Sequence, residues 1–141
     1  PQLIAKLSDR GQLAVQMPVQ QENLLNKILY ELVQEKPFVD YLRGWKRTSP
    51  LLSIDQYAQL MFEHGLQGIQ IIQKVYPIIA DDADKLVDFI SGSALVPYMA
   101  RLSPTEQQLF MAEFKNRIQQ SFSKFPAMYA FKRLLLYGKR T

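Results

Sequence analysis

Short apolar segments alternate with helical patterns along this chain, and that alternation limits the possible folds more than any other feature. Three segments rich in apolar, aromatic and β-branched residues have the composition of strands: residues 13–17, 69–75 and 129–137. Between them, apolar side chains recur at helical spacing. Because strands separated by helices are typical of α/β proteins, we predict an α/β domain.

Proline and glycine residues set the predicted ends of these strands. The first strand is expected to end at Pro18, which has no amide hydrogen to donate to a neighbouring strand. The second is expected to lie between Gly68 and Pro77, and the last to end at Gly138.

Helix starts are marked by short capping sequences. Residues 53–56 (Ser-Ile-Asp-Gln) and 103–106 (Ser-Pro-Thr-Glu) have the form of a capping box, in which serine and the residue three positions later cap each other's backbone. Asp81 or Asp82 is expected to cap a further helix. A helix is therefore predicted to begin at each of these three places.

Composition narrows the possible partners. The 141 residues, 48% of them hydrophobic, suffice for one core, and the absence of cysteine excludes disulfides and fits a cytoplasmic location. No apolar run approaches the roughly 20 residues of a membrane span, so no membrane partner is expected. The net charge of +4 is scattered, apart from a group near the end formed by Lys132, Arg133, Lys139 and Arg140. Without a recognition motif this charge predicts no nucleic-acid binding, and it suits a small anionic substrate.

A sheet of only three strands raises a question of completeness. A parallel sheet this narrow would not cover its helices, and a bare edge at the first strand would be left unpaired. We therefore expect part of the fold to lie outside these residues, and expect the isolated chain to associate with itself through the exposed edge.

Four segments, in order along the chain, resemble the trans-aconitate methyltransferases. Residues 13–18 (Leu-Ala-Val-Gln-Met-Pro) are similar to the family's fifth strand. Residues 89–98 (Phe-Ile-Ser-Gly-Ser-Ala-Leu-Val-Pro-Tyr) resemble its Trp-Val-x-Gly-Thr-x-Leu-x-Pro-Tyr segment. Residues 102–110 resemble its closing helix, and residues 130–134 (Ala-Phe-Lys-Arg-Leu) its final strand.

The resemblance implies a class I S-adenosylmethionine-dependent methyltransferase with a Rossmann-like sheet. Residues 1–141 would form a single partial domain, the carboxyl-terminal half, with strands five, six and seven. The order would be 5-7-6, with the last strand antiparallel between the others and helical insertions forming a lid over the substrate.

The resemblance also implies S-adenosylmethionine as cofactor, held by the amino-terminal half that we expect to be absent. Such enzymes use a glycine-rich loop after the first strand and an acidic residue after the second. The six glycines of this chain form no Gly-x-Gly pattern. We therefore expect no cofactor-binding residue here, and expect the chain alone to be inactive.

Candidate substrate-binding residues follow from position and chemistry. Gln16 and Met17 lie at the carboxyl end of the first strand, where ligands collect in α/β sheets. Arg133 can hold a carboxylate through two parallel hydrogen bonds, although a surface ion pair would explain it equally well. The resemblance places Ser93 and Tyr98 in the lid as donors to a carboxylate. Capping a turn and packing in the core are their alternatives.

Trp45 is the remaining candidate, as an aromatic residue that closes the lid, and core packing is its alternative. No catalytic base is needed, because a carboxylic acid is already ionised at neutral pH. His64 is expected to sit at a helix end, and Asp81, Asp82 and Asp84 at a helix start, so no metal site is predicted.

The expected substrate is a small carboxylic acid similar to trans-aconitate. Residues 72–78 are less polar than the corresponding part of the family, which leaves the identity of the methyl acceptor open. Two alternatives remain: a methyltransferase that acts on a carrier-bound carboxyl, as in biotin synthesis, and a helical interaction module without catalysis.

Overall fold

A computed structural model describes residues 1–141. The elements in chain order are α1 (Gln2–Ala5), β1 (Gln12–Pro18), α2 (Leu24–Leu32), α3 (Phe38–Tyr41), α4 (Ile54–Glu63), β2 (Leu66–Ala80), α5 (Ala83–Ser91), α6 (Val96–Met99), α7 (Pro104–Ser121) and β3 (Ala127–Arg140). The predicted α/β composition is confirmed. None of the helices combines the length and apolar character that crossing a membrane requires.

The three strands form one antiparallel sheet in which β3 lies between β1 and β2. β1 and β3 pair from Gln12 opposite Lys139 to Pro18 opposite Arg133. This order, with the last strand in the middle and antiparallel, is the one that the resemblance implied for strands five, seven and six. Membership of a larger Rossmann-like sheet stays a prediction.

Three predicted strand ends are wrong. β2 runs through Gly68 and Pro77, because β2 is an edge strand and proline can point its missing donor away from the sheet. β3 runs through Gly138, where a Cβ atom would lie 2.9 Å from Met61 Cε and 3.2 Å from Leu66 Cδ1. Glycine at that position permits close packing and does not end the strand.

The predicted helix starts are confirmed. In α4, the Gln56 N–H donates to Ser53 Oγ (3.2 Å) and the Ser53 N–H donates to Gln56 Oε1 (2.9 Å). Ser103 and Glu106 form the same reciprocal pair at α7. Of the two aspartates, Asp82 caps α5.

The residues divide into two compact units. The sheet unit comprises residues 1–19, 50–76 and 131–141, and the helical unit comprises residues 20–49 and 77–130. The residues of β2 and β3 are shared between them. The predicted single partial domain stays a prediction.

In the sheet unit, α1 and α4 supply side chains to one aliphatic cluster against one face of the sheet. Its buried members are Ile4, Val19, Met61, Leu66, Leu134 and Leu136. Alternate residues of β1, namely Leu13, Val15 and Met17, pack against it. The residues between them face the other side, where Ala14 and Gln16 are exposed.

In the helical unit, α7 packs against α2 and α5. Phe110 and Phe114 are fully buried on α7, with ring centroids 6.4 Å apart, and Phe38 meets Phe110 edge to face at 5.2 Å. Outside this aromatic core, the Arg117 guanidinium contacts Glu35 at 2.7 Å and Glu113 at 2.8 Å. The aromatic packing and these charge-assisted contacts join distant parts of the helical unit.

Candidate functional site

The six candidate residues fall into both units. Gln16, Met17 and Arg133 belong to the sheet unit, whereas Trp45, Ser93 and Tyr98 belong to the helical unit. Each group has its own surroundings.

Gln16 and Arg133 lie on the same face of the sheet. Gln16 is opposite Leu135, and Pro18 is opposite Arg133. Since residues two apart along a strand share a face, the Gln16 and Arg133 side chains are diagonal neighbours on the face opposite the aliphatic cluster. The register therefore brings together the two polar candidates of this unit.

Met17 lies on the opposite face. It pairs in register with Leu134 and packs against the aliphatic cluster, and the Tyr57 hydroxyl donates a hydrogen bond to its Sδ at 3.6 Å. These contacts give Met17 a packing role. Contact between Met17 and a substrate stays a prediction.

Arg133 has an unusual environment for a charged side chain. Its Nε atom is buried and has no hydrogen-bond partner, and its guanidinium carbon lies 5.5 Å from the centroid of the Phe131 ring. A buried N–H without a partner is costly, and arginine stays charged at all physiological pH values. Arg133 thus keeps an unused, charged donor beside an aromatic ring.

A shallow groove of about 400 Å³ crosses the open face of the sheet. It is lined by Ala14, Val15, Gln16, Gln70, Ile72, Leu135, Leu136 and Tyr137. That volume is in the range of small-molecule sites. The lining carries no charged side chain, so the groove by itself offers an apolar surface with a few hydrogen-bonding groups.

In the helical unit, Trp45 and Tyr98 are in contact. Their ring centroids lie 5.2 Å apart in an edge-to-face arrangement, and Tyr98 also stacks on Phe110 at 6.4 Å. The Tyr98 ring is buried, and its hydroxyl accepts a hydrogen bond from the Arg47 N–H at 3.0 Å. Tyr98 therefore joins the aromatic core and anchors the chain that follows Trp45.

Arg101 covers the Trp45 ring, a contact that sequence reasoning missed. The guanidinium carbon lies 3.5 Å from the ring centroid, and Nη1 donates to the Pro97 carbonyl at 2.8 Å. The sequence did indicate basic surroundings for Trp45, because Arg43, Lys46 and Arg47 lie close to it along the chain. Arg101 itself is too far along the chain to be linked to Trp45 by pattern.

Ser93 sits just after α5. Its Oγ donates to the Ile90 carbonyl at 3.3 Å, and its N–H donates to the same carbonyl at 3.2 Å. Its surroundings are those of a helix-ending turn, and its predicted contact with a substrate carboxylate stays a prediction.

The residues present do not suit a metal or S-adenosylmethionine. No group of three or more His, Asp or Glu side chains comes together, and His64 Nδ1 lies 2.8 Å from the Leu60 carbonyl oxygen at the end of α4. Gly92 ends α5, and Gly138 lies inside β3. No glycine forms the strand-to-helix loop through which backbone would approach a cofactor.

No protein-family model matches the chain. Curated proteins similar to it over nearly its whole length include methyltransferases. In particular, they are trans-aconitate 2-methyltransferases. The one from Deinococcus radiodurans is 31% identical over 150 residues, an alignment that covers 99% of this chain and 57% of the relative. Those from Azoarcus sp. and Escherichia coli are 27% and 26% identical and are each covered to 55%.

The chain therefore resembles trans-aconitate 2-methyltransferases from end to end, as the four matched segments indicated. It spans about half the length of the curated relatives it matches.

Proposed function

We propose that this chain is the substrate-side, carboxyl-terminal part of an S-adenosylmethionine-dependent methyltransferase that esterifies a small carboxylic acid. The similarity to trans-aconitate 2-methyltransferases across 99% of the chain carries the proposal. The strand order β1-β3-β2 supports it, since it is the order implied for strands five, seven and six.

Methyl transfer to a carboxylate requires mainly that the protein position the acid against the methyl group. A carboxylate is ionised at neutral pH and can attack an electrophilic methyl group without a general base. Holding the acceptor oxygen in line and neutralising the remaining carboxylates then supplies much of the rate. Arginine suits this task because its guanidinium forms two parallel hydrogen bonds with a carboxylate.

Arg133 is the residue of the sheet unit best suited to hold an acid. Its guanidinium supplies charged donors, of which Nε is buried without a partner in the chain, and Gln16 on the same face supplies an amide. In this proposal Arg133 pairs with a carboxylate that is not methylated, and Gln16 orients the acceptor. Neither residue transfers a proton.

S-adenosylmethionine supplies the methyl group when bound, and we propose that residues outside this chain hold it. The glycines described above form no cofactor loop, and the relatives are nearly twice as long as the chain. The isolated chain is then inactive. A cytoplasmic location fits this chemistry and stays a prediction.

The test is methyl transfer by the complete protein that contains this chain. Radiolabelled S-adenosylmethionine is incubated with a panel of di- and tricarboxylic acids, and the organic esters are counted. Losing a charge-assisted hydrogen bond costs about 1.5–3 kcal/mol, so Arg133→Ala is expected to lower kcat/KM by roughly tenfold to a hundredfold. Lys139→Ala is the control, since Lys139 lies on the same strand and face.

Turnover unchanged by Arg133→Ala would remove Arg133 from the site. If only a carrier-bound carboxyl were methylated, the substrate would be the carrier and not a small acid. The absence of any methyl transfer, with S-adenosylmethionine shown to bind, would favour a non-catalytic interaction module.

We also propose that the isolated chain associates with itself through the outer edge of β1 and the open sheet face. β1 ends the strand order, so one side of its backbone has no neighbouring strand, and Ile72 on the groove is 53% exposed. Sedimentation at micromolar concentration is expected to show dimers or larger species, and Ile72→Lys to reduce them. A monomer for the unchanged chain would contradict this proposal.

A further inference from the structure

The loop around Trp45 is held in a defined shape. Arg43 and Gly44 both adopt positive φ angles, of 54° and 72°, and the Trp45 N–H donates to the Leu42 carbonyl at 2.9 Å. On the far side, the Arg47 N–H is fixed by the Tyr98 hydroxyl. Trp45 is thus tied to the unit on both sides, and its ring offers a flat surface that is only partly exposed.

Arg101 is held in place on that surface. Stacking on Trp45 at 3.5 Å and donation to the Pro97 carbonyl fix the guanidinium from two directions. Arginine has five N–H donors, and only one of them has a partner within the chain. The remaining donors of an exposed, positioned guanidinium can bind a ligand with little loss of side-chain freedom.

The positive charge of this cluster has no carboxylate partner. Arg43, Arg47 and Arg101 take part in none of the ion pairs of the chain, although Asp40 lies nearby in sequence. Lys46 differs, because its Nζ donates to the Tyr30 hydroxyl (3.1 Å) and to Gln34 Oε1 (2.9 Å). Arg101 is therefore held on Trp45 by its side chain and takes part in no ion pair.

We propose that Arg101, held on the ring of Trp45, binds a carboxylate group of a small di- or tricarboxylic acid. The guanidinium fork matches the two oxygens of a carboxylate, and the stacking on Trp45 holds that fork in position. The choice of a carboxylate rests on the proposed function, while the presence of an anion site rests on the geometry alone. Arg101 acts by binding and takes no part in bond making.

Trp45 allows a direct test, because it is the only tryptophan of the chain. The fluorescence of the 141-residue chain is followed during titration with tricarballylate, with sodium chloride adjusted to constant ionic strength. We expect a saturable change with the unchanged chain, and binding weakened roughly tenfold to a hundredfold in Arg101→Gln. Lys124→Gln removes the same single charge from an exposed site of the helical unit and is expected to bind as the unchanged chain does.

A second variant tests whether any substitution of Arg101 weakens binding to the same extent. Arg101→Lys keeps the charge but loses the planar fork, so it is expected to bind less tightly than the unchanged chain and more tightly than Arg101→Gln. Circular dichroism and thermal melting establish that all variants are folded. The proposal is overturned if Arg101→Gln and Lys124→Gln bind equally, or if inorganic phosphate binds as tightly as the tricarboxylate.

Methyl transfer by the complete protein separates this inference from the proposed function. Carboxylate binding that depends on Arg101, without any methyl transfer, would leave this site intact and remove the enzymatic proposal. Methyl transfer that is unaffected by Arg101→Gln would support the enzymatic proposal and would remove Arg101 from the substrate site.

Discussion

The sheet unit and the helical unit differ most clearly in how they distribute charge. The sheet unit has seven Lys and Arg residues against three Asp and Glu, a net charge of +4, whereas the helical unit has ten of each and is neutral. Four ion pairs lie in the helical unit. The entire net charge of the chain therefore belongs to the unit that contains Arg133.

The two units also differ in their cores. The sheet unit builds an aliphatic cluster against one face of its sheet and leaves the groove on the other face open. The helical unit surrounds α7 with other helices and fills its centre with aromatic rings. Other helices therefore cover the apolar side chains of α7 in the helical unit. The sheet unit keeps an open face, and the Nε atom of its Arg133 has no partner within the chain.

The largest effect is expected at the aromatic core. Phe110→Ala removes a fully buried ring that stacks with Phe114 and Tyr98, and is expected to lower the free energy of unfolding by about 3–5 kcal/mol. Leu109→Ala on the same helix is the control and should cost less than about 1 kcal/mol, because Leu109 is half exposed. Urea denaturation followed by circular dichroism gives both values. Similar costs for the two variants would contradict the buried stack.

An intermediate effect is expected at Gly138 in the sheet unit. Gly138→Ala places a methyl group against Met61 and Leu66, and the resulting overpacking is expected to cost about 1–3 kcal/mol. Gly92→Ala is the matched control, since nothing lies within 4 Å of a Cβ there and its φ of −75° suits alanine. A neutral Gly138→Ala would show that β3 and α4 pack less closely than described.

The smallest effect is expected from alkaline pH. Burial raises the pKa of the Tyr129 hydroxyl to about 12, above its ordinary value of 10.0. Because the neutral form is favoured in the folded state, its contribution is complete below pH 10 and is lost as the pH rises toward 12. Tyr129→Phe should therefore lose less stability between pH 9 and 11 than the unchanged chain, measured by denaturation at each pH. Equal losses would place this hydroxyl in contact with solvent.

Much of the fold was predictable because local signals and tertiary packing agree. The capping serines Ser53 and Ser103 bond to their own helices, so short sequence patterns suffice to locate them. The order of the strands required the family resemblance, since no local pattern says that β3 inserts between β1 and β2. Pro77 and Gly138 do not end their strands, although proline and glycine often do. Pro77 lies on an edge strand, and Gly138 lies where a larger residue would press against Met61 and Leu66.

The candidate site was predictable only in part. Residue chemistry singled out Arg133 and Trp45, and the structure adds an unpartnered Nε to the first and a stacked arginine to the second. Arg101 could not be found from sequence because its link to Trp45 depends on how α6 is placed in three dimensions. Met17 shows the opposite case, in which position on the strand suggested a site and register turned the side chain toward the core.

We propose that this chain supplies carboxylate-binding residues while residues outside it hold the cofactor. Calorimetric titration of S-adenosylmethionine into the 141-residue chain, beside the complete protein, measures where the cofactor binds. We expect saturable binding by the complete protein and no measurable binding by the chain alone. Equally tight binding by the chain alone would contradict it, because the cofactor site would then lie among the residues described.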